Sequence, residues 1–384
     1  MKTLTPINWL LAILTLLLLP TSCSQSTDDL LTDGPQPGIP QPDEPLITIH
    51  VAKAGTLGYM LDTDASLPAS YEIANLKLTG KLNGTDLRYL REMAGSNFYG
   101  SQTRETLKFL DLSEAKIVNG GEKYISDHDG YKVDTSRISY YAPNLFYGCK
   151  SLVSVKMPEG IVEIPGAFKG CRNLVSVSLP ENITDLSSAF ENCGSLISVN
   201  IPKDIRSLKK AFKGCTSLTS IDIPKTYGSS LESTFQGCTS LTSIIIPAPL
   251  QDNILLTINH AFAGCTNLTS ATITCRCAGD SPFAGCPNLQ YIRLFAPFIQ
   301  NDTYFPFCSG LNDSVTIYIP QGTLDNYKAW GFEKYNLVEF DTSSYESSLP
   351  LEYNNLKSSH HDTTQYDADF VQAVDGITKK ILIR

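Results

Sequence analysis

A repeat solenoid of the α/β type, built mostly of short β-strands, curved, with an N-terminal cap and a C-terminal closing unit, is the fold this 384-residue sequence predicts. Two observations predict it. Cysteines recur at positions 149, 171, 193, 215, 238, 265, 286 and 308, spaced by 22, 22, 22, 23, 27, 21 and 22 residues. Each has a phenylalanine three residues before it (Phe146, Phe168, Phe190, Phe212, Phe235, Phe262, Phe283, Phe305) and a leucine three residues after it (Leu152, Leu174, Leu196, Leu218, Leu241, Leu268, Leu289, Leu311). Self-similarity at this period marks a stack in which each unit buries its face against its neighbours. Domain counting by length therefore does not apply to it.

The chain opens with Lys2 and a mostly apolar stretch at 9–19, then Pro20, Thr21, Ser22 and Cys23. A charged start, a short apolar run and small residues before a break read as a secretory signal, shorter than the ~20 residues of a membrane-spanning helix. Small residues directly before Cys23 point to a lipoprotein signal, so residues 1–22 are expected to be removed and Cys23 to carry the lipid. The alternative is an ordinary cleaved signal with an incidental cysteine. Residues 23–45 hold Asp28, Asp29, Asp33, Asp43, Glu44 and several prolines, too little apolar area to fold, and are expected to form a flexible tether. The acidic stretch at 24–29 resembles the export signal that carries Bacteroidetes lipoproteins to the outer face of the outer membrane.

Residues 46–100 are the expected cap. Leu87, Leu90 and Ala94 fall on one face of a helix over 85–94, with Thr85 and Asp86 as N-cap candidates. Laid over the first repeat, that helix would shield an open edge. Residues 101–340 are the expected solenoid. Within a unit the pattern is Phe-x-Gly-Cys-x-Ser/Asn-Leu-x-Ser-Val/Ile-x-Ile-Pro. In 212–224, Ile221 and Ile223 alternate with period two after Leu218, as a short strand does, and Pro224 ends the ladder because it lacks an N–H. A second apolar pair (Ile161/Ile164, Ile183/Leu186, Ile205/Leu208) marks the return path. Glycine before most of the cysteines permits a tight turn; Asn192 and Phe307 break that rule.

This unit resembles the BspA-like leucine-rich repeat of surface proteins in Bacteroidetes and other microbes. The resemblance extends to 107–113, with Leu107, Leu110 and Leu112 as a leading repeat of ordinary leucine-rich type, and to 76–90 as the family's N-terminal cap. It also reaches 317–324 and Tyr327, Lys328, Ala329 and Trp330 as its closing unit, where Tyr327, Trp330 and Phe332 are placed to cover the last repeat. It implies a leucine-rich-repeat solenoid at the cell surface with roles in adhesion to host proteins or other cells, and no catalytic residue. Residues 341–384 fit the repeat poorly, and most of that tail is expected to be disordered.

Without Cys23, ten cysteines remain: eight in the register, plus Cys275 and Cys277. Successive rungs lie one solenoid step apart, within disulfide range, but identical rungs point their Cβ atoms the same way. The register therefore reads as a ladder of small buried side chains, while Cys275 and Cys277 are left open between pairing and free thiols. No metal site is expected, since Cys-x-Cys alone is weak evidence for zinc and none of the five histidines has a ligand spacing beyond the adjacent tail pair His360 and His361. His260 reads as a surface or turn residue. Asp127, His128, Asp129 and Gly130 lack the spaced series of a calcium loop. They lie in a long connection at 119–137, of the kind that often carries binding function.

No nucleophile elbow, zincin motif or phosphate-binding loop appears, so no catalytic residue and no cofactor is expected. The net charge of −9 and the absence of a Lys/Arg run exclude a nucleic-acid partner and leave the lipid as the one contact with a membrane. The candidate binding face is the outward side of the strands: Ser154, Lys156, Ser176, Ser178, Ser198, Asn200, Ser220, Asp222, Ser243, Ser270, Thr272 and Arg293. A ligand-binding column and a merely soluble β-surface explain this pattern equally well. Recognition of a host matrix or cell-surface protein over this broad face is the leading reading. Polysaccharide or nutrient capture at the outer membrane is the alternative; it calls for aromatic platforms, for which Tyr291, Tyr304, Phe295 and Phe298 are candidates, although end-cap core explains them better. A hydrolase with its site in the tail or the long connection is the third class, and no nucleophile–base pair supports it.

Overall fold

The computed structural model describes residues 45–340 except 104–105, 128–129, 226–227, 229, 248–254, 276 and 296–305. The signal segment, Cys23, the tether up to residue 44 and the 341–384 tail lie outside the described residues, as do His128, Phe298, Tyr304 and Phe305.

The chain begins with β1 (Ile47–Val51), α1 (Leu57–Thr63), β2 (Asn75–Leu82), α2 (Gly84–Met93) and β3 (Phe109–Ile117). The repeats then supply β4 (Ser154–Lys156), β5 (Ser176–Ser178) and β6 (Ser198–Val199). All six strands form one parallel sheet in sequence order. Further on come β7 (Ser243–Ile246), β8 (Leu256–Thr257), β9 (Ser270–Ile273), β10 (Cys277–Ala278), β11 (Tyr291–Leu294), β12 (Thr316–Pro320), α3 (Leu324–Tyr327) and β13 (Asn336–Phe340). A second parallel sheet runs β7-β9-β11-β12-β13, and β8 pairs with β10 on the return path. No helix among the described residues is long and apolar enough to cross a membrane.

The register read from the sequence is the core. The phenylalanines from Phe146 to Phe283 are fully buried and stacked ring on ring, with centroids 5.4–5.6 Å apart. Parallel strands sit about 4.8 Å apart, a step that lets each ring stack on the ring of the next unit. The column ends on Phe307, whose ring meets Phe283 edge-on at 5.9 Å. Residues before the other register cysteines take φ from 63° to 78°, Asn192 among them. Phe307 does not; an aromatic side chain is poorly tolerated there, and it turns into the core instead. Beyond it, Tyr327 and Phe332 close the end as the sequence predicted, with Phe332 5.9 Å from Phe307; Trp330 is half-buried 5.3 Å from Tyr327, and Tyr335, which the sequence did not mark, is buried with them.

The turns that carry these phenylalanines are hydrogen-bonded in a single direction. Phe146 N–H donates to Ala167 O, Phe168 N–H to Ala189 O and Phe190 N–H to Ala211 O, and the residues before the cysteines repeat the pattern (Gly148 to Lys169, Gly170 to Glu191). A residue two before each phenylalanine takes the left-handed conformation, φ 50–66°, and six of the seven are not glycine: Asn144, Ser188, Lys210, Ser233, His260 and Ser281. This places His260 in a turn, as expected.

The unit at 212–224, whose spacing predicts a short strand, does not form one. Residues 218–223 carry no strand, and the two main sheets are separated there. Asn200 and Asp222 occupy successive rungs at the same outward position, and both residue types are poor strand formers. β6 stops just before Asn200, the Asp222 rung is unpaired, and pairing resumes where Ile245 takes the position. Ile221 is only half-buried, unlike its equivalents Val155, Val177, Val199 and Ile244.

Candidate functional site

The sheet surface is the candidate site, and the pairing register defines its rows. One row runs Asn75, Phe109, Ser154, Ser176 and Ser198, and resumes as Ser243, Ser270, Tyr291, Thr316 and Asn336. The next runs Thr48, Lys77, Asp111, Lys156 and Ser178, and resumes as Ile245, Thr272, Arg293, Tyr318 and Val338. Residues between these positions point inward and are buried, as strand alternation requires, with Leu337 on the last strand half-buried; Asn75, at the start of the first row, is itself buried.

Most of the predicted face is where the alternation put it. Lys156, Ser178, Ser198, Asn200, Ser220, Asp222 and Ser243 are exposed, and Ser154, Ser270, Thr272 and Arg293 are half-buried. Ser176 is the correction: it is 7% exposed, and its hydroxyl donates to Ser154 Oγ at 3.0 Å. Its neighbours on both sides cover it, so it braces the ladder and offers little to a ligand. Ser220 and Asp222 are exposed, but on the unpaired rung.

The two halves of the face differ. In the N-terminal half Lys77 Nζ pairs with Glu114 at 2.5 Å and Lys156 Nζ lies 3.7 Å from Asp111. Burial opposes ionisation of Asp111, yet hydrogen bonds from Ser113 and the charges of Lys156 and Lys77 hold its carboxyl below the ordinary range. In the C-terminal half Tyr291 and Tyr318 meet edge-on, with centroids 6.0 Å apart and planes at 88°. The Arg293 guanidinium carbon lies 5.0 Å from the Tyr291 ring centre and 5.7 Å from that of Tyr318. Tyr291 is therefore outward, whereas Phe295 is core, packed at 5.2 Å on Phe340. Tyr318 was overlooked as a site residue; the alternation of Ile317, Tyr318 and Ile319 already marks it as outward.

The cysteines supply no disulfide among the described register residues. Their role is to satisfy backbone. The phenylalanine carbonyls from Phe146 to Phe262 each accept a hydrogen bond from the thiol of the next unit: Cys171 Sγ to Phe146 O at 3.0 Å, Cys193 to Phe168, Cys215 to Phe190, Cys238 to Phe212, Cys265 to Phe235 and Cys286 to Phe262 at up to 3.1 Å. Burial pushes the thiol of Cys149 up to about 11, partly countered by Arg91, and that of Cys215 up to about 12. The folded state holds these protons more tightly than the unfolded chain, which releases them from an ordinary value of 9.0. The contribution to stability is fully present below that value and is lost as pH rises toward the folded values. The denaturation midpoint is thus expected to fall between about pH 8 and pH 10.5, and the native protein to resist a thiol reagent that modifies the register cysteines once the chain is denatured without reductant. Few reactive thiols after denaturation would show that the ladder is oxidised.

The 119–137 connection is not a free surface loop. Tyr124, Ile125 and Val133 are buried in the core. Asp127 bonds Lys123 Nζ at 3.1 Å and Val133 N–H at 3.0 Å, which spends its carboxylate on the loop itself. The described residues contain no cluster of His, Cys, Asp and Glu able to hold a metal ion.

A family described as "BspA type Leucine rich repeat region" matches this chain in six copies, over residues 139–254, 187–312 and 232–353. No curated protein matches it. Among solved structures, a leucine-rich repeat protein of T. pallidum shares 28% identity, covering 43% of this chain and 75% of that one, with a TM-score of 0.35. One from Bacteroides ovatus shares 22% identity over 63% of this chain and 62% of that one, with a TM-score of 0.36. An internalin of Listeria monocytogenes shares 15% over 73% and 72%, with a TM-score of 0.31.

Proposed function

From a chain that belongs to the BspA-type leucine-rich-repeat family, we propose a lipid-anchored binding protein, exposed at the outer membrane surface, that recognises a host matrix or cell-surface protein through its sheet face and catalyses no reaction. The observation that carries this reading is the sheet surface itself. Apart from the buried Asn75 and Ser176, side chains from successive parallel rungs stand side by side in two outward rows, presenting a broad area of the kind protein partners occupy. It needs no cofactor, and the chain's acidity is unsuited to nucleic acid.

The first test is a binding screen of the purified chain against immobilised matrix proteins, plasma proteins and polysaccharides. Saturable binding to a protein, weakened by charge-changing substitutions at Lys156, Asp222 or Arg293, is the expected result. Silence toward every protein would remove this reading. The lipid anchor has its own check: Cys23→Ser should move the protein from the membrane fraction to the soluble one, and retention in the membrane would exclude lipidation at Cys23 as its anchor. Capture of a polysaccharide is the second reading, favoured by the outward rings of Tyr291 and Tyr318; binding to glycans alone in the same screen would put it first.

A further inference from the structure

We propose that Tyr291, Arg293 and Tyr318 form the anchor point of the sheet face, taking a carboxylate side chain of the partner protein; this rests on the protein-recognition reading above. Arg293 stands at the centre of its row, with Thr272 and Ile245 on the rungs to one side and Tyr318 and Val338 to the other. Two rings hold its guanidinium, at 5.0 and 5.7 Å. Among the described residues it has no carboxylate partner. The cations of the other half, Lys77 and Lys156, are already matched with Glu114 and Asp111. In this C-terminal half the rows contribute Ser243, Ser270, Thr316 and Asn336 around it and no acidic residue, in a chain whose net charge is −9.

A planar guanidinium offers a fork of N–H donors that fits a carboxylate in two parallel hydrogen bonds. Held between rings, it has little side-chain freedom left to lose on binding. Tyrosine and arginine, half-buried together as here, are the composition of the few residues that dominate protein interfaces. A sugar ring needs a flat aromatic face to lie on. The two tyrosines stand at 88° to one another and share no plane, and the Arg293 carbon lies over both. The geometry therefore favours an acidic side chain of a protein over a polysaccharide.

The test is selection from a phage-displayed random peptide library on the purified chain and, in parallel, on its R293Q variant. The wild type is expected to enrich peptides containing Asp or Glu beside apolar residues. Their affinity should fall roughly 30-fold in R293Q, about the loss seen at an interface hot spot. R293K, which keeps the charge but not the fork, should bind them about tenfold more weakly than wild type, and Y318A should also weaken them, with unchanged thermal melting for each variant. Equal affinity in R293Q, or recovery of no acidic peptide, overturns the anchor. In that case protein binding that is retained in the earlier screen and weakened by K156Q would leave the broader reading standing. Binding of polygalacturonate, lost in R293Q while acidic peptides are not recovered, would overturn the choice of a protein ligand and assign the cluster to an anionic glycan.

Discussion

Phe212→Ala is expected to destabilise the solenoid by about 3–5 kcal/mol, the range for truncating a fully buried phenylalanine. Phe212 lies in the middle of the column, with rings 5.5 Å away on one side and 5.6 Å on the other, at interplanar angles of 8° and 3°. Its carbonyl also receives the Cys238 thiol, so a collapse of the turn would disturb the next rung as well. In a stack held by nearest neighbours, a cavity here weakens two interfaces at once. Urea denaturation would measure the loss, and hydrogen exchange should show it spreading from units 193–260 toward both ends. An unchanged midpoint would contradict a packed column.

Much of this column was legible in the sequence because a repeat multiplies weak signals. One Phe-x-x-Cys-x-x-Leu means little; eight in register fix the phenylalanine, cysteine and leucine as buried. What the sequence did not reveal is where the thiols point: they are donors to the phenylalanine carbonyls of the preceding units. What escaped depended on relations between units. The strand at 218–223 has a good local pattern but fails because Asn200 and Asp222 fall on adjacent rungs, which only the pairing register reveals. The N-cap of α2 is Asn83, not Thr85 or Asp86. Its side chain accepts the Thr85 N–H, and Asp86 bonds back to the Asn83 N–H while also holding Gly55 and Leu57. At the candidate site, the outward rows followed from alternation, but Ser176 was lost to a neighbouring hydroxyl, and Tyr318 gains its meaning from Arg293 across a strand boundary.

Arg91→Met is expected to cost about 3 kcal/mol. Arg91 lies on α2, is fully buried, and among the described residues has no carboxylate paired with it. Its guanidinium donates to Asn144 O at 3.1 Å, Leu145 O at 2.9 Å and Tyr147 O at 3.0 Å, and to Ser96 Oγ, which itself donates to Tyr147 O. In the following unit the equivalents of the last two carbonyls, Ala167 O and Lys169 O, take N–H groups from the turn before them. The first unit has no turn before it. Arg91 and Ser96 supply those donors, and the buried Tyr124 hydroxyl does the same for Pro143 O at 2.7 Å. Each carbonyl left bare costs about 1–3 kcal/mol, offset in part by no longer burying a charge. Arg91→Lys should recover little, because an ammonium does not span three carbonyls. The loss should appear first as faster hydrogen exchange over 142–170, whereas the Phe212 variant loosens the middle. Unaltered exchange at that end would show that the carbonyls find other donors.

The one-way bonding of the phenylalanine turns gives the solenoid a grammar with a start and a stop. Every interior junction is the same sentence, an amide of one unit spoken to a carbonyl of the next, so gain or loss of a whole 22-residue unit leaves all remaining junctions alike. The two termini are not synonyms: the first unit presents bare acceptors and is closed by side-chain donors, while the last is closed by an aromatic cluster around Phe307, Tyr327 and Phe332. Reach can therefore drift over generations by copying units in the middle, while the two closures, having no second address on the chain, cannot be exchanged.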